Sequence, residues 1–254
     1  MRVNAVKERL LAGEVVYGYA LGLGSAIAAE GLSRTGVDFL LIDMQHGSWD
    51  MSQVGAALMA MTAGTVPMAR PAFNDYTRIG KLLDEGAMGI VVPMVDTPGQ
   101  AKAAADACLF PPEGTRSHGY SGALRLADDD PVAYVREMND QLFLAVQFES
   151  VTSIDNAEAI LATPGVDGCW VGPADLAMSL GLAPSTAWEQ PAFQEALQRV
   201  LAACEATGTV PGYAAFTPSM AEKARALGFR FLTAGWDIGF MVEGAVEGVR
   251  RLRA

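Results

Sequence analysis

At four places in the chain, polar residues that could do chemistry interrupt runs of apolar ones: Asp43-Met44-Gln45-His46, Arg70, Gln147-Phe148-Glu149 and Gly172-Pro173-Ala174-Asp175. Two carboxylates, Glu149 and Asp175, completed by water, suit a hard divalent cation that prefers oxygen ligands. The bland alternative is that each caps a helix or pairs with an arginine. His46 follows Asp43 by three residues, so a general base held by a carboxylate is geometrically possible, as is a structural histidine bonded to a carbonyl. Arg70 supplies the positive charge that an anionic substrate needs in an acidic protein, or else makes an ion pair in the floor of the fold. The Gly-Pro-Ala turn would open a helix, whose first backbone N–H groups are free to hold a carboxylate.

Other chemistries lack their residues. The lysines Lys7, Lys81, Lys102 and Lys223 all fall in helical stretches, which disfavours imine catalysis, and no G-x-S-x-G elbow marks a serine triad. Only two histidines, His46 and His118, leave a His-rich zinc or iron site without ligands. The charge sum of 18 − 29 = −11 argues against nucleic acid and anionic membrane surfaces as partners. The first nine residues alternate charge with apolar side chains and read as a helix, not as a signal peptide. The most apolar stretch, 56–69, is too short for a membrane span and is broken by Gly64 and Pro67. Cys108, Cys169 and Cys204 have no metal or CxxC spacing, and a reducing cytoplasm fits them best.

The polar residues gain meaning from the elements that must carry them. Short aliphatic runs at 15–21, 39–43, 66–70, 89–93, 143–149, 168–171, 210–213 and 231–235 read as parallel strands buried on both faces. Helical segments are expected at 52–63, 76–85, 98–108, 154–163, 191–207, 218–227 and 238–252. Gly36, Gly86, Gly165 and Gly228 each stand just past a helix and lead within three residues into a strand, a junction that needs a left-handed glycine. This unbroken alternation predicts an α/β fold, a TIM (β/α)8 barrel, over a single domain spanning 1–254. An open doubly wound sheet is the rival, but Gly22-Leu23-Gly24 lacks the third glycine of a dinucleotide fingerprint. In a barrel the four polar clusters share the C-terminal rim, where active sites are built. The acid in Ala234-Gly235-Trp236-Asp237 speaks against a phosphate site after the last strand, and the Pro/Gly/Ser-rich segment 110–122 is a long loop of the kind that carries function.

In order and spacing, Leu40-Leu41-Ile42-Asp43-Met44-Gln45-His46, Ala69-Arg70-Pro71, Leu82-Leu83-Asp84-Glu85-Gly86, Val92-Pro93-Met94-Val95, Pro111-Pro112-Glu113-Gly114-Thr115-Arg116, Gln147-Phe148-Glu149 and Val171-Gly172-Pro173-Ala174-Asp175-Leu176 resemble the HpcH/HpaI aldolases. These are metal-dependent pyruvate aldolases acting on 4-hydroxy-2-oxoheptanedioate and 2-keto-3-deoxy sugar acids. The resemblance implies a divalent cation (Mg²⁺, Mn²⁺ or Co²⁺) on Glu149 and Asp175. It also implies that the amides of Ala174 and Asp175, with Gln147, hold a 2-oxo acid, and that Arg70 stabilises its enolate oxygen. His46 would be the base, made more basic by Asp84 of a neighbouring subunit. The enolate would add to an aldehyde; the alternatives are an oxaloacetate decarboxylase, an enolate enzyme similar to macrophomate synthase, or an idle barrel that binds oxo acids. The family also implies a hexamer, a trimer of dimers, with swapped C-terminal helices. Ala20, where relatives carry an aromatic residue, would leave room for bulky aldehydes.

Overall fold

A computed structural model describes residues 1–62 and 64–254; the expected helix end at Ala63 lies outside the described residues. The chain begins with α1 (Ala5–Leu11), β1 (Val16–Leu21), α2 (Ala26–Ser33), β2 (Phe39–Asp43), α3 (Met51–Ala60), β3 (Val66–Arg70), α4 (Tyr76–Asp84), β4 (Gly89–Val92) and α5 (Pro98–Cys108). It continues through α6 (Pro131–Gln141), β5 (Phe143–Phe148), α7 (Val151–Asp155), α8 (Ala157–Leu161), β6 (Gly168–Val171), α9 (Pro173–Ser179), α10 (Pro191–Thr207), β7 (Gly212–Ala214), α11 (Pro218–Leu227), β8 (Phe231–Trp236) and α12 (Asp237–Arg253). The strands pair in parallel from β1 to β8, and β8 returns to β1, so the barrel is closed.

Closure buries β2 through β6 completely, which is why their sequences read as continuous apolar runs. At the N-terminal end, the first residues of β2, β5 and β8 meet as an aromatic floor. Phe39 and Phe143 lie 4.7 and 5.1 Å from Phe231 between ring centroids. Gly18 makes the room, because a Cβ there would fall 2.2 Å from the Phe39 ring. With one end sealed, the opposite rim is left for polar groups. The four junction glycines have positive φ, 84° at Gly36, 103° at Gly86, 90° at Gly165 and 119° at Gly228, as the helix-to-strand spacing requires.

The seventh strand is displaced from 210–213 to Gly212–Ala214, since Pro211 has no N–H to give a ladder and Val210 makes only an isolated bridge to Gly168. The helix expected at 154–163 is two short helices, broken where Asn156 turns its side chain to the carbonyl of Asp96. The long loop at 110–122 is followed by a 3₁₀ turn, Ala123–Ala127, and by α6, neither of which the periodicity revealed. Helix α12 packs only its first turn on the barrel, through Phe240 edge-on to Tyr19 at 4.6 Å, and then leaves the surface. Among the described residues, no helix is long and apolar enough to cross a membrane.

Candidate active site

Asp43 and Arg70 are the last residues of β2 and β3, and the strand register sets them side by side. Arg70 is only 7% exposed, so its charge must be met inside the protein. Asp43 meets it with a two-pronged bond, Nε to Oδ1 at 2.8 Å and Nη2 to Oδ2 at 2.6 Å. The same Oδ1 accepts the backbone amides of Gln45 and His46 at 3.0 and 3.3 Å. Of the two arrangements the sequence left open for His46, a base held by Asp43 and a histidine bonded to a backbone carbonyl, neither is formed by its ring among the described residues. The carboxylate orients Arg70 and the turn that carries His46, and the ring of His46 has no partner among the described residues.

The third guanidinium nitrogen, Nη1, donates to Oε1 of Gln147 at 3.1 Å, and that fixes the amide so that its Nε2 donates to Glu149 Oε2. Glu149 Oε1 accepts from the backbone N–H of Met94 at 2.8 Å. Met94 holds a left-handed φ of 57°, uncommon for a residue with a Cβ, and the turn it makes carries its amide to the carboxylate. An unbroken chain of bonds thus runs from Asp43 through Arg70 and Gln147 to Glu149. Burial pushes the Glu149 carboxyl above the ordinary carboxylate range, and the nearby Asp175 pushes it the same way against the Met94 amide, Arg70 and Gln147.

Strand β6 runs through Gly172 into α9. A Cβ at Gly172 would sit 2.8 Å from Gln147 Nε2 and 3.2 Å from Glu149 Oε2, so only glycine lets the turn pass this close. Pro173 is the first helical residue, which leaves the N–H groups of Ala174 and Asp175 without intrahelical acceptors. A cavity of about 240 Å³ brings together His46, Arg70, Gln147, Gly172, Pro173, Ala174 and Asp175. Trp170, Ala214 and Phe216 complete its wall; sequence reasoning passed over them because apolar strand residues carry no signal of which cavity they face. Ala20 lies outside that lining, so the space expected beside it is not part of this cavity.

Asp84 does not join the cavity within the chain. It ends α4 and pairs with the buried Arg116 of the 110–122 loop, Nη2 to Oδ1 at 2.9 Å, and it borders a separate depression with Tyr76 and Ser117. Arg116 is sandwiched near Phe110 and Tyr134 and donates to the Tyr134 hydroxyl at 3.0 Å. Beside the turn that carries His46, where Ser48 donates its N–H to the carbonyl of Gly22, Asp237 takes the amides of Gly22 and Leu23 at 2.9 and 3.0 Å, donors that a phosphate would have needed.

A sequence profile of the HpcH/HpaI aldolase/citrate lyase family matches residues 19–243, most of the chain. The chain belongs to that family. As a member it is a lyase, and its curated relatives are aldolases. It is 38% identical to the 2-keto-3-deoxy-L-rhamnonate aldolase of Klebsiella pneumoniae, over 92% of this chain and 87% of that one. It is 34% identical to the 4-hydroxy-2-oxo-heptane-1,7-dioate aldolase of Salmonella arizonae, over 95% of this chain and 92% of that one. The crystal structure of a family protein from Burkholderia cenocepacia superposes with a TM-score of 0.91 at 34% identity, covering 99% of this chain and 100% of the other.

Proposed function

We propose that this lyase is a class II aldolase: with a divalent cation it makes the enolate of pyruvate or a related 2-oxo acid, adds it to an aldehyde, and cleaves 4-hydroxy-2-oxo acids in reverse. The observation that carries the reading is the bonded chain Asp43–Arg70–Gln147–Glu149, whose two middle members, Arg70 and Gln147, line one small cavity together with His46 and the Gly172–Asp175 turn. Glu149 and Asp175 are the donors for the cation. Among the described residues no group of three or more His, Cys, Asp and Glu side chains gathers, so water and substrate oxygens would have to complete the shell of a hard ion. Asp175 adds to the upward push on the Glu149 carboxyl, which supports assigning both to one ion. When bound, such a cation supplies Lewis acidity at the keto oxygen.

The residues of the chain do the rest. The free amides of Ala174 and Asp175 receive the substrate carboxylate, and Gln147, held on one side by Arg70, orients it. His46, with its ring unbonded, takes a proton from the methyl group; the C–H electron pair passes into the new C=C bond and the carbonyl π pair onto oxygen. Arg70, already aimed by Asp43, stabilises the charge that grows there. The enolate carbon then bonds to the aldehyde carbon, the aldehyde π pair moves onto its oxygen, and that alkoxide takes the proton held by His46, which restores the base. Exchange of the pyruvate methyl protons with D₂O, followed by NMR, tests the reading. Exchange is expected with added Mg²⁺, Mn²⁺ or Co²⁺ and should fall to background after chelation; full exchange in chelated protein would sink it.

Because the Glu149 carboxyl lies above its ordinary value of 4.5, it holds its proton in the folded protein over a window in which the unfolded chain is already ionised. In metal-free protein this group therefore subtracts stability as pH rises through that window. Cation binding needs the ionised form and strengthens over the same window. The rise in Tm on adding Mn²⁺ is expected to grow from acid pH toward neutrality, and a rise independent of pH would contradict this.

We further propose a homo-oligomer assembled through α12. Met241, Val246 and Leu252 on that helix are 55%, 63% and 89% exposed. The barrel wall beside β1 and β8, where an eighth outer helix would pack, carries a groove of about 360 Å³ between Tyr17, Tyr19, Ala234 and Ala221. A neighbour's α12 fills such a groove in a swapped assembly, and a hexamer built as a trimer of dimers would bring Asp84 of one subunit toward His46 of another. Val246→Asp is expected to shift the sedimentation coefficient from oligomer to monomer. An unchanged coefficient would refute the helix contact. The three cysteines are free and buried, which supports a cytoplasmic enzyme.

A further inference from the structure

A second cavity, of about 340 Å³, opens beside the first and shares with it Pro173, Ala174, Ala214 and Phe216. Its outer part lies between the turn before α10, strand β7 and helix α11, where Trp188, Phe193, Tyr213 and Met220 form the walls. Neither the enolate chemistry nor the polar chain of bonds uses this space. Through these four shared residues it adjoins the cavity where a carbon–carbon bond would form, and Phe216, one of the four, is 46% exposed.

The chemistry of the walls selects the occupant. No lysine, arginine or histidine lines the cavity, so a carboxylate or phosphate drawn into it would lose its water and find no counter-charge. The nearby cation, Lys223, is engaged by Glu189 at 3.5 Å and by the Trp188 ring at 5.7 Å from its centroid. Trp188 and Tyr213 are perpendicular with centroids 5.9 Å apart, a geometry that offers ring edges and faces to a third aromatic group. A cavity of ~150 Å³ with apolar walls already suffices for benzene. The lining carries uncharged hydroxyls at Ser185, Thr217 and Tyr213, of which Thr217 accepts the backbone N–H of Met220. Tyr213 is 1% exposed, yet its hydroxyl has no hydrogen-bond partner among the described residues. Burial raises its pKa, so the phenol stays protonated and offers a donor to a ligand.

We infer that this second cavity holds the tail of the acceptor aldehyde, and that the tail is an uncharged aromatic or branched hydrocarbon group. The inference rests on the aldolase reading above. It separates this chain from relatives named for a heptane-dioate or a deoxy-rhamnonate, whose names carry a second carboxylate or several hydroxyls. Phe216 divides the acceptor between a reacting carbonyl in the polar cavity and a buried tail behind it.

Two measurements test the inference. First, hydrocinnamyl alcohol, which keeps the aryl tail but has no carbonyl to react, is titrated by calorimetry into metal-free protein, into Met220→Trp, which fills the cavity, and into Ser185→Trp, which covers its mouth from an exposed position. Binding is expected in the unaltered protein and should weaken at least tenfold in both variants. Second, kcat/KM for pyruvate addition to hydrocinnamaldehyde is divided by kcat/KM for succinic semialdehyde and for glycolaldehyde in each protein, so that general damage cancels. Both ratios should exceed ten and fall at least tenfold in the variants. Failure of the alcohol to bind, ratios below one, or variants that leave binding and ratios unchanged would each overturn the assignment. If a second copy of the chain fills the cavity instead, the alcohol will bind only to dissociated subunits, and the assignment is likewise overturned. Absence of methyl-proton exchange with any of the three metals defeats the aldolase reading and the aldehyde assignment with it, whereas exchange without aryl preference defeats the assignment alone.

Discussion

Arg70→Met should lower pyruvate methyl-proton exchange on the order of 10²–10³-fold, the usual cost of removing one donor aimed at a developing oxyanion. The structure makes this residue more than a local charge. Its three bonds hold Asp43 on one side and Gln147 on the other, and Gln147 in turn holds Glu149. Methionine fills the aliphatic space but leaves the Asp43 carboxylate, 11% exposed, without its partner. Breaking a buried ion pair from one side costs about 3–5 kcal/mol of stability, so a fall in Tm should accompany the fall in rate. The double variant Asp43→Asn/Arg70→Met separates the two effects. Removing the orphaned charge should recover most of the Tm, while exchange stays at the level of the single variant. Recovery of exchange in the double variant would show that Arg70 acts only as a structural counter-ion.

The barrel was legible because its signals are local. Buried parallel strands need continuous apolar runs, and a glycine with positive φ is needed wherever a helix turns back into a strand, so β2, β3 and β6 and the junctions at Gly36, Gly86, Gly165 and Gly228 lie where the residues predicted them. Elements whose limits depend on one hydrogen bond were less legible. Asn156 splits a helix by reaching to Asp96, sixty residues away along the chain, and no periodicity records that bond. The site divides in the same way. His46, Arg70, Gln147 and the Gly172–Asp175 turn were readable as polar breaks at strand ends, and they line one cavity. The partner of Asp43 was not legible: nearness in sequence brings His46 to mind, whereas the register of β2 against β3 puts Arg70 opposite. Met94 stands in a segment shared with the family, yet its role had no side-chain signal: it acts through a backbone amide and an unusual φ, and both belong to the fold.

Glu149→Gln gives the other large effect, and its two readouts should move apart. The substitution keeps the shape and removes the charge, so cation binding should be lost and methyl-proton exchange should fall at least as far as in Arg70→Met. Saturating Mn²⁺ at 100 times its Kd adds about 2.7 kcal/mol to a protein that binds it only when folded, a rise of roughly 5–10 °C in Tm for a domain of this size. The variant should show no such rise. Its metal-free Tm is set by two opposed terms. Wild-type Glu149 is buried, and its ionised form is disfavoured by that burial and by Asp175, so neutralising it restores stability. Against this, the new amide sets its NH2 against either Gln147 Nε2 or the Met94 N–H, and neither can yield: Gln147 cannot turn over without giving up its bond from Arg70, and the Met94 amide is always a donor. One unmet donor costs about 1–3 kcal/mol, comparable to the relief of a partly compensated charge. The metal-free Tm should therefore change by less than the metal contributes to the wild type. A variant stabilised by Mn²⁺ as strongly as the wild type would mean that the cation sits elsewhere, and that Glu149 only anchors Gln147 and Met94.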